Sequence, residues 1–239
     1  MLQMFESEIV KILHTFTQTQ EENLRAAAKL AVDRMAQGGR FYAIGTGHSH
    51  MVGEEFYGRA GGLACFRLIA PMELTLGEHP LKSTKIERLA DYADVIMMQY
   101  KLRPEDVVLI SSNSGRNAMI VEMALKLKQQ GTATIAFTSL AHSQLSTSRH
   151  GSGKRLFELC DIVIDNCGCP GDARLELEGV PGQMGASSSI VGMYMAQCLS
   201  MLVARELADR GMEVPVFISS NLDGGDSWNR SIMEKYYGI

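Results

Sequence analysis

The apolar residues of this chain follow a helical spacing over residues 2–37 and a different pattern after residue 40. In the first stretch they recur every three to four positions, and the pattern stops at the adjacent glycines Gly38 and Gly39. This spacing predicts a pair of N-terminal helices whose apolar faces would cover a sheet or a neighbouring subunit.

After residue 40, short apolar runs alternate with stretches of helical spacing. Five runs are candidate strands, and they cover residues 41–44, 63–69, 107–111, 132–137 and 162–164. A helix is expected over residues 117–130, ending at Gly131, and a long one over residues 186–209. The fold class that this alternation predicts is α/β: a doubly wound, parallel five-stranded sheet with helices on both faces.

Length and composition indicate how this fold is organised. The chain has 239 residues, of which 46% are apolar and 21% are charged, and no repeat or linker interrupts it. These values predict a single folded domain. Within it we expect N-terminal helices over residues 1–38, an α/β core over 39–210 and a C-terminal extension over 211–239.

Charge and cysteine content restrict the partners and the compartment. The net charge is −4, without the basic stripe that nucleic-acid binding requires. No apolar run reaches the roughly 18 to 20 residues of a membrane helix. The five cysteines fit no disulfide framework, and the N-terminus lacks the pattern of a signal peptide. We therefore expect a cytoplasmic protein that binds neither nucleic acid nor membrane.

The first chemical motif is a strand that runs into Gly45-Thr46-Gly47-His48-Ser49 just before a helical stretch. Glycine lets the backbone approach a ligand closely, and the free amides of a helix start attract anions. Gly47 and Ser49 are therefore candidate phosphate-binding residues, although a tight turn without a ligand fits the pattern as well. A dinucleotide fingerprint is excluded, because its third glycine would fall at His50.

The second motif follows the strand over residues 107–111 and contains Ser112, Asn113, Ser114, Gly115 and Asn117. Several hydroxyls and amides at a helix start can together bind a phosphate dianion. The alternative is a simple helix cap supplied by Ser114 or Asn117. Two such turns favour the phosphate site, since ligands of parallel sheets bind at the carboxyl ends of the strands.

The sequence GTGHS followed by SNSGRN resembles the SIS (sugar isomerase) domain family, over roughly residues 20–210. The second motif of that family reads Ser/Thr-x-Ser-Gly-x-Ser/Thr; Ser112, Ser114 and Gly115 match it, and Asn117 takes the place of the last hydroxyl. The helices leading into GGRFYAIGTGHS are most similar to the phosphoheptose isomerase branch. The resemblance implies a sugar-phosphate ligand and a homodimer or homotetramer.

The start of the last long helix carries a second resemblance. Its Gly-Ala-Ser-Ser-Ser segment, which includes Ser187, is similar to the isomerase domain of glucosamine-6-phosphate synthases. That likeness implies that Ser187 binds the phosphate and that an upstream glutamate is the catalytic base. Glu178 is the candidate we rank first.

Aldose–ketose isomerisation needs a carboxylate that moves a proton between adjacent carbons and an acid that opens the ring. Glu178 is the first candidate for the base, and Glu55 on the first helix of the core is the second. His79 is the candidate acid, because histidine titrates near working pH. Each of these side chains could instead be a solvated loop or helix residue, which is the more common role of such residues.

A metal site is a further possibility at the first motif. His48, His50 and Glu54 are close in sequence, and His50 and Glu54 would share a helix face. A pair at this spacing is more often a surface pair. The phosphoheptose isomerases carry a histidine and a glutamate on this helix and a glutamine and a histidine on the last one, a set that this chain does not reproduce. We predict no metal and no other cofactor.

The sequence thus favours a sugar-phosphate isomerase and leaves two alternatives. One is a lyase that opens an ether beside a phosphorylated amino sugar. The other is a non-catalytic sugar-phosphate sensor, which would act through a protein partner, because no basic helix-turn-helix precedes the first strand. Fold alone does not choose among these.

Overall fold

The computed structural model describes residues 1–77 and 79–238. Its centre is a five-stranded sheet in the order β2-β1-β3-β4-β5, and every neighbouring pair in it is parallel. The strands are β1 Phe41–Gly45, β2 Phe66–Ile69, β3 Val107–Ser111, β4 Ala133–Thr138 and β5 Ile162–Asp165. The predicted fold class is confirmed.

Eight α-helices, three short 3₁₀ helices and a small hairpin complete the described part of the chain. The helices are α1 Leu2–Ala36, α2 His50–Phe56, α3 Pro80–Ile86, α4 Tyr92–Tyr100, α5 Ala118–Gln130, α6 Leu140–Leu145, α7 Ser188–Asp209 and α8 Gly225–Tyr237. The hairpin consists of β6 Ala173–Glu176 and β7 Gln183–Ala186, which pair antiparallel.

The two faces of the sheet bury separate apolar clusters because side chains alternate along a strand. Val107 and Leu109 of β3 join the cluster under α1, α2 and α7, whereas Val108 and Ile110 join the cluster under α4 and α5. All five residues of β1 and of β3 are buried, as expected of strands covered on both faces. This layering leaves the strand ends as the place where a ligand can reach the backbone.

The N-terminal helical pair is the part of the prediction that was wrong. α1 is one helix of 35 residues, and no glycine or proline interrupts it. Its buried face includes Ile12, Phe16 and Leu24 and packs along α7 and β5. A continuous helix buries this face without the polar ends that a break would leave unpaired.

The C-terminal segment closes the edge beside β2. The predicted strand over residues 63–69 begins later, at Phe66, and Leu63 instead forms an isolated antiparallel bridge with Val216. α8 then packs through Ile232 on Ala64 and Phe217. The segment therefore covers the edge of the sheet, where unpaired backbone groups would otherwise be exposed.

α7 has the length and the mean hydropathy, 1.2, of a helix that could cross a membrane. In this fold Val191, Met195 and Leu199 are fully buried in the core that α7 shares with α1 and α2. Part of the apolar surface of α7 is thus packed in the core.

Candidate functional site

The turn after β1 is closed by its own backbone. A Cβ atom at Gly45 would collide with the backbone carbonyl of Ser49, so only glycine allows the chain to fold back here. The ring Nδ1 of His50 hydrogen-bonds to the carbonyl of Gly47. The Thr46 hydroxyl donates to Oε2 of Glu87 at 2.6 Å and so ties the turn to the end of α3.

The turn after β3 is built around the Ser112 hydroxyl. This oxygen accepts the Gly115 amide at 3.2 Å, and the Ser112 amide donates to the carbonyl of Phe137 at 2.9 Å. Gly115 has a φ of +58°, and a Cβ atom there would lie 3.1 Å from Cβ of Leu156. The Ser114 hydroxyl makes no hydrogen bond to any residue that the structure describes, which leaves it available to a ligand.

Two asparagines connect the ends of β3, β4 and β5. The Asn113 carbonyl accepts from the amide of Ser139 and from the hydroxyl of Thr138, both at 3.1 Å. Its side-chain Oδ1 accepts from Nδ2 of Asn166 at 2.8 Å, and Oδ1 of Asn166 accepts the Gly168 amide at 2.8 Å. These bonds hold both amide side chains rigidly at the rim of the sheet.

Between the two turns and the start of α7 lies a small cleft. It is lined by His48, Ser49, Val52, Ser111, Asn113, Phe137, Asn166, Ser188 and Ser189. Hydroxyl and amide groups dominate this lining, and His48 is its one ionisable side chain among the described residues. Such a surface can bind sugar hydroxyls and an anionic group by hydrogen bonds.

A carboxylate caps the helix that closes the cleft. Oδ1 of Asp172 accepts the amides of Ser187 at 3.0 Å and of Ser188 at 2.8 Å, and Oδ2 accepts the Ser188 hydroxyl at 2.6 Å. The Ser187 hydroxyl, which is fully buried, also lies within hydrogen-bond distance of Asp172. Ser187 therefore fixes the start of α7, while Ser188 and Ser189 line the cleft.

The three predicted catalytic residues lie outside the lining of this cleft. Oε1 of Glu55 accepts from Nε2 of Gln197 on α7 at 2.7 Å and is paired with Arg59. Glu178 is exposed in the turn of the β6–β7 hairpin. His79 is exposed at the start of α3, where its Nδ1 accepts the amide of Leu81 at 3.2 Å.

The candidate metal ligands separate into two environments. Nε2 of His50 lies 3.3 Å from Oε1 of Glu54, and its other ring nitrogen is engaged by Gly47. His48 lies in the cleft instead. In the described part of the chain, no group of three histidine, cysteine, aspartate or glutamate side chains is arranged to hold a metal ion.

Sequence reasoning located part of this cleft. Of the predicted phosphate-binding residues, Ser49 and Asn113 line it, and the others on the second motif form the adjoining loop. It missed Ser111, Asn166, Ser188 and Ser189, and it weighed His48 only as a metal ligand. Asn166 follows β5 directly, so its position at a strand end was a signal that could have found it.

A parallel sheet with a polar cleft between two glycine-serine turns defines a class of α/β proteins that bind small ligands at their strand ends. A family model of the SIS domain matches residues 4–139, which is more than half of the chain. The chain therefore belongs to the SIS domain family, as the two motifs predicted.

Its relatives within that family are UPF0309 proteins. The chain is 43% identical over 226 residues to one from Halalkalibacterium halodurans, covering 95% of this chain and 93% of that protein. It is 36% identical over 233 residues to one from Oceanobacillus iheyensis, covering 97% and 95%.

Among solved structures, the fold is similar to that of a phosphoheptose isomerase from Francisella tularensis. The TM-score is 0.54 at 15% identity, and the match covers 85% of this chain and 96% of that one. At this identity the likeness concerns the fold.

Proposed function

We propose that the protein binds a phosphorylated sugar in this cleft and interconverts its aldose and ketose forms. The observation that carries the proposal is the lining of the cleft, in which serine hydroxyls and two asparagine amides converge at the carboxyl edge of a parallel sheet. A sugar offers hydroxyls to such a surface, and its phosphate requires several donors close together.

The loop between β3 and α5 is the proposed phosphate anchor. Ser114 has a free hydroxyl there, and the N-terminus of the 13-residue helix α5 adds a favourable field, although the Met119 amide already donates to the carbonyl of Glu87. Ser49 approaches from the turn after β1, and Ser112 holds the loop in shape. Gly115 and Asn117 complete the anchor in this proposal, and Ser187 contributes by positioning its neighbours on α7.

Proton transfer requires a base near the sugar carbons. Glu178 is the first candidate in this proposal and Glu55 the second, with His79 as the ring-opening acid. The structure adds His48, which lines the cleft. Glu178 would reach the sugar if the β6–β7 hairpin bends toward a cleft, either in its own subunit or in a neighbouring one. Glu55 is held as a carboxylate acceptor by Gln197 and Arg59.

An apolar groove between α1 and α7 supports assembly into a homodimer or homotetramer. Phe16 and Leu24 of α1 and Tyr194 and Met201 of α7 line it, and Met201 is 64% exposed. Closed symmetric assemblies commonly cover surfaces of this kind. We propose that such an assembly works in the cytoplasm.

A thermal-shift panel tests the binding proposal. Hexose, pentose and heptose phosphates should raise the melting temperature, because a ligand that binds only the native state stabilises it. The same sugars without phosphate are the matched controls. A panel in which no phosphorylated sugar stabilises the protein would refute the proposal.

The stabilising compound is then assayed for turnover with the wild type and with Glu178→Gln, Glu55→Gln and His48→Asn. Loss of the base should lower kcat by a factor on the order of 100 to 10,000 while affinity is largely retained. Turnover retained in all three variants would exclude these residues as the base.

A sugar-phosphate sensor is the second candidate. It is favoured by the absence of a carboxylate among the described residues that line the cleft, because isomerisation usually relies on one. Tight binding without formation of any isomer would support the sensor. Release of lactate from an ether-linked amino-sugar phosphate would instead identify the lyase.

A further inference from the structure

Three arginines lie at or near the proposed phosphate loop, and the nearby carboxylate of Glu87 accepts from the Thr46 hydroxyl instead of forming an ion pair with one of them. None of Arg88, Arg116 and Arg149 forms an ion pair with a residue that the structure describes. Burial lowers the pKa of Arg149, and the charges of Arg116 and Arg88 lower it further, while Glu87 opposes this effect. Like charges repel, so an anion bound between these guanidinium groups would be favoured.

The contacts of Arg149 bring its guanidinium to the start of α5. Its Nη1 donates to Oδ1 of Asn117 at 2.7 Å, and its backbone amide donates to the carbonyl of Arg116 at 2.8 Å. Nη2 of Arg116 in turn donates to the Thr147 hydroxyl at 3.0 Å. Residues 147–149 therefore lie directly against the proposed phosphate loop.

A buried donor at the same place has no partner. Nε of Arg116 is shielded from solvent and makes no hydrogen bond to any described residue. Buried polar atoms are nearly always paired, because an unpaired one loses its hydration without compensation. An anion bound between Arg116 and Arg149 would supply both an acceptor and negative charge.

The identity of residue 117 indicates why Arg149 would be needed to bind a phosphate. It stands where the family motif has its last hydroxyl, and its Oδ1 is occupied by Arg149. Only the Nδ2 amide is left for a ligand, so Asn117 offers one neutral donor and holds a guanidinium beside it.

We propose that Arg149, positioned by Asn117 and assisted by Arg116, is the charged ligand of the substrate phosphate. The inference rests on the proposed function for the identity of the ligand as a sugar phosphate. It adds that recognition depends on a guanidinium from residues 147–149, outside both family motifs. The site should accordingly discriminate strongly against ligands without a dianionic group.

Calorimetric titration with inorganic phosphate and with glucose 6-phosphate tests this assignment. Arg149→Gln should weaken binding of both by roughly 10- to 100-fold, as expected for loss of a hydrogen bond between charged groups. Arg149→Lys keeps the charge and should lose less. Arg205→Gln is the control, because it removes the same charge from an exposed arginine paired with Asp209.

A double-mutant cycle separates a direct role from a structural one. In the Asn117→Thr background Arg149 has lost its anchor, so Arg149→Gln should weaken phosphate binding several-fold less than it does in the wild type. If circular dichroism shows that Arg149→Gln is misfolded, Arg149→Lys replaces it in the cycle. Its effect on phosphate binding is then compared between the wild-type and Asn117→Thr backgrounds. Equal effects of Arg149→Gln in both backgrounds would contradict positioning by Asn117.

The outcomes distinguish this inference from the proposed function. Phosphate affinity in Arg149→Gln equal to that in Arg205→Gln overturns the inference and leaves the function standing. If Arg149→Gln loses binding of inorganic phosphate and no sugar phosphate stabilises the wild type, the anion site is supported and the proposed function is refuted. A wild type that binds neither inorganic phosphate nor any sugar phosphate of the thermal-shift panel refutes both.

Discussion

Replacing Asp172 with alanine should lower the free energy of unfolding by about 2 to 4 kcal/mol. The variant loses the cap of α7, in which one carboxylate accepts two backbone amides and a hydroxyl, and such caps contribute about 0.5 to 2 kcal/mol. It also loses a negative charge at the positive end of a 22-residue helix, a contribution of about 0.3 to 1 kcal/mol.

Backbone conformation adds to this loss. Asp172 has a φ of +71°, in the left-handed region that alanine adopts less readily than aspartate or glycine. This conformation costs alanine about 1 kcal/mol or more. Because Ser188 lies both on the cap and in the cleft, the same substitution should weaken ligand binding.

Two further variants separate these contributions. Asp172→Asn keeps one acceptor oxygen for the two amides but loses the charge and the acceptor of the Ser188 hydroxyl, so it should cost less than the alanine variant. Asp172→Gly loses the cap but relieves the backbone, so it should be more stable than the alanine variant by about 1 kcal/mol. Urea unfolding followed by circular dichroism measures all three. An alanine variant within about 0.5 kcal/mol of the wild type, the usual range for a neutral surface substitution, would refute this account of the helix start.

Three other expectations can be checked directly. Ser114→Ala should weaken sugar-phosphate binding by roughly 1 to 3 kcal/mol and leave the melting temperature unchanged, since its hydroxyl has no partner among the described residues; unchanged affinity in calorimetry would remove Ser114 from the site. Sedimentation should show a dimer or a larger assembly, and a monomer at micromolar concentration would contradict this. Burial raises the pKa of the Cys160 thiol to about 12 from 9.0. Iodoacetamide at pH 8 should therefore modify Cys160 only after unfolding. The unfolded chain loses this proton near pH 9 and the native protein only near pH 12, so the contribution of this thiol to the free energy of unfolding should be complete below pH 9 and decline from there toward pH 12. Rapid modification of Cys160 in the native protein would contradict this.

Local sequence was sufficient for the sheet and for the two turns at its carboxyl edge. Short apolar runs between helical stretches predicted all five parallel strands, because a strand covered on both faces must be apolar throughout. Local sequence also predicted where α5 ends, because Gly131 adopts a φ of +84°, which glycine tolerates without cost. The same reasoning allowed a break in α1 that the absence of glycine and proline argues against.

Only the tertiary structure decided which side chains meet in the cleft and around it. Asp172 caps a helix that begins 16 residues later, Arg149 reaches Asn117 across 32 positions, and Glu55 meets Gln197 across 142. Periodicity along the chain reports which face of an element is buried, but it contains no information about which distant element covers that face. For the same reason the sequence could rank Glu178 as a base without revealing that its segment forms a separate hairpin with Glu178 exposed in the turn.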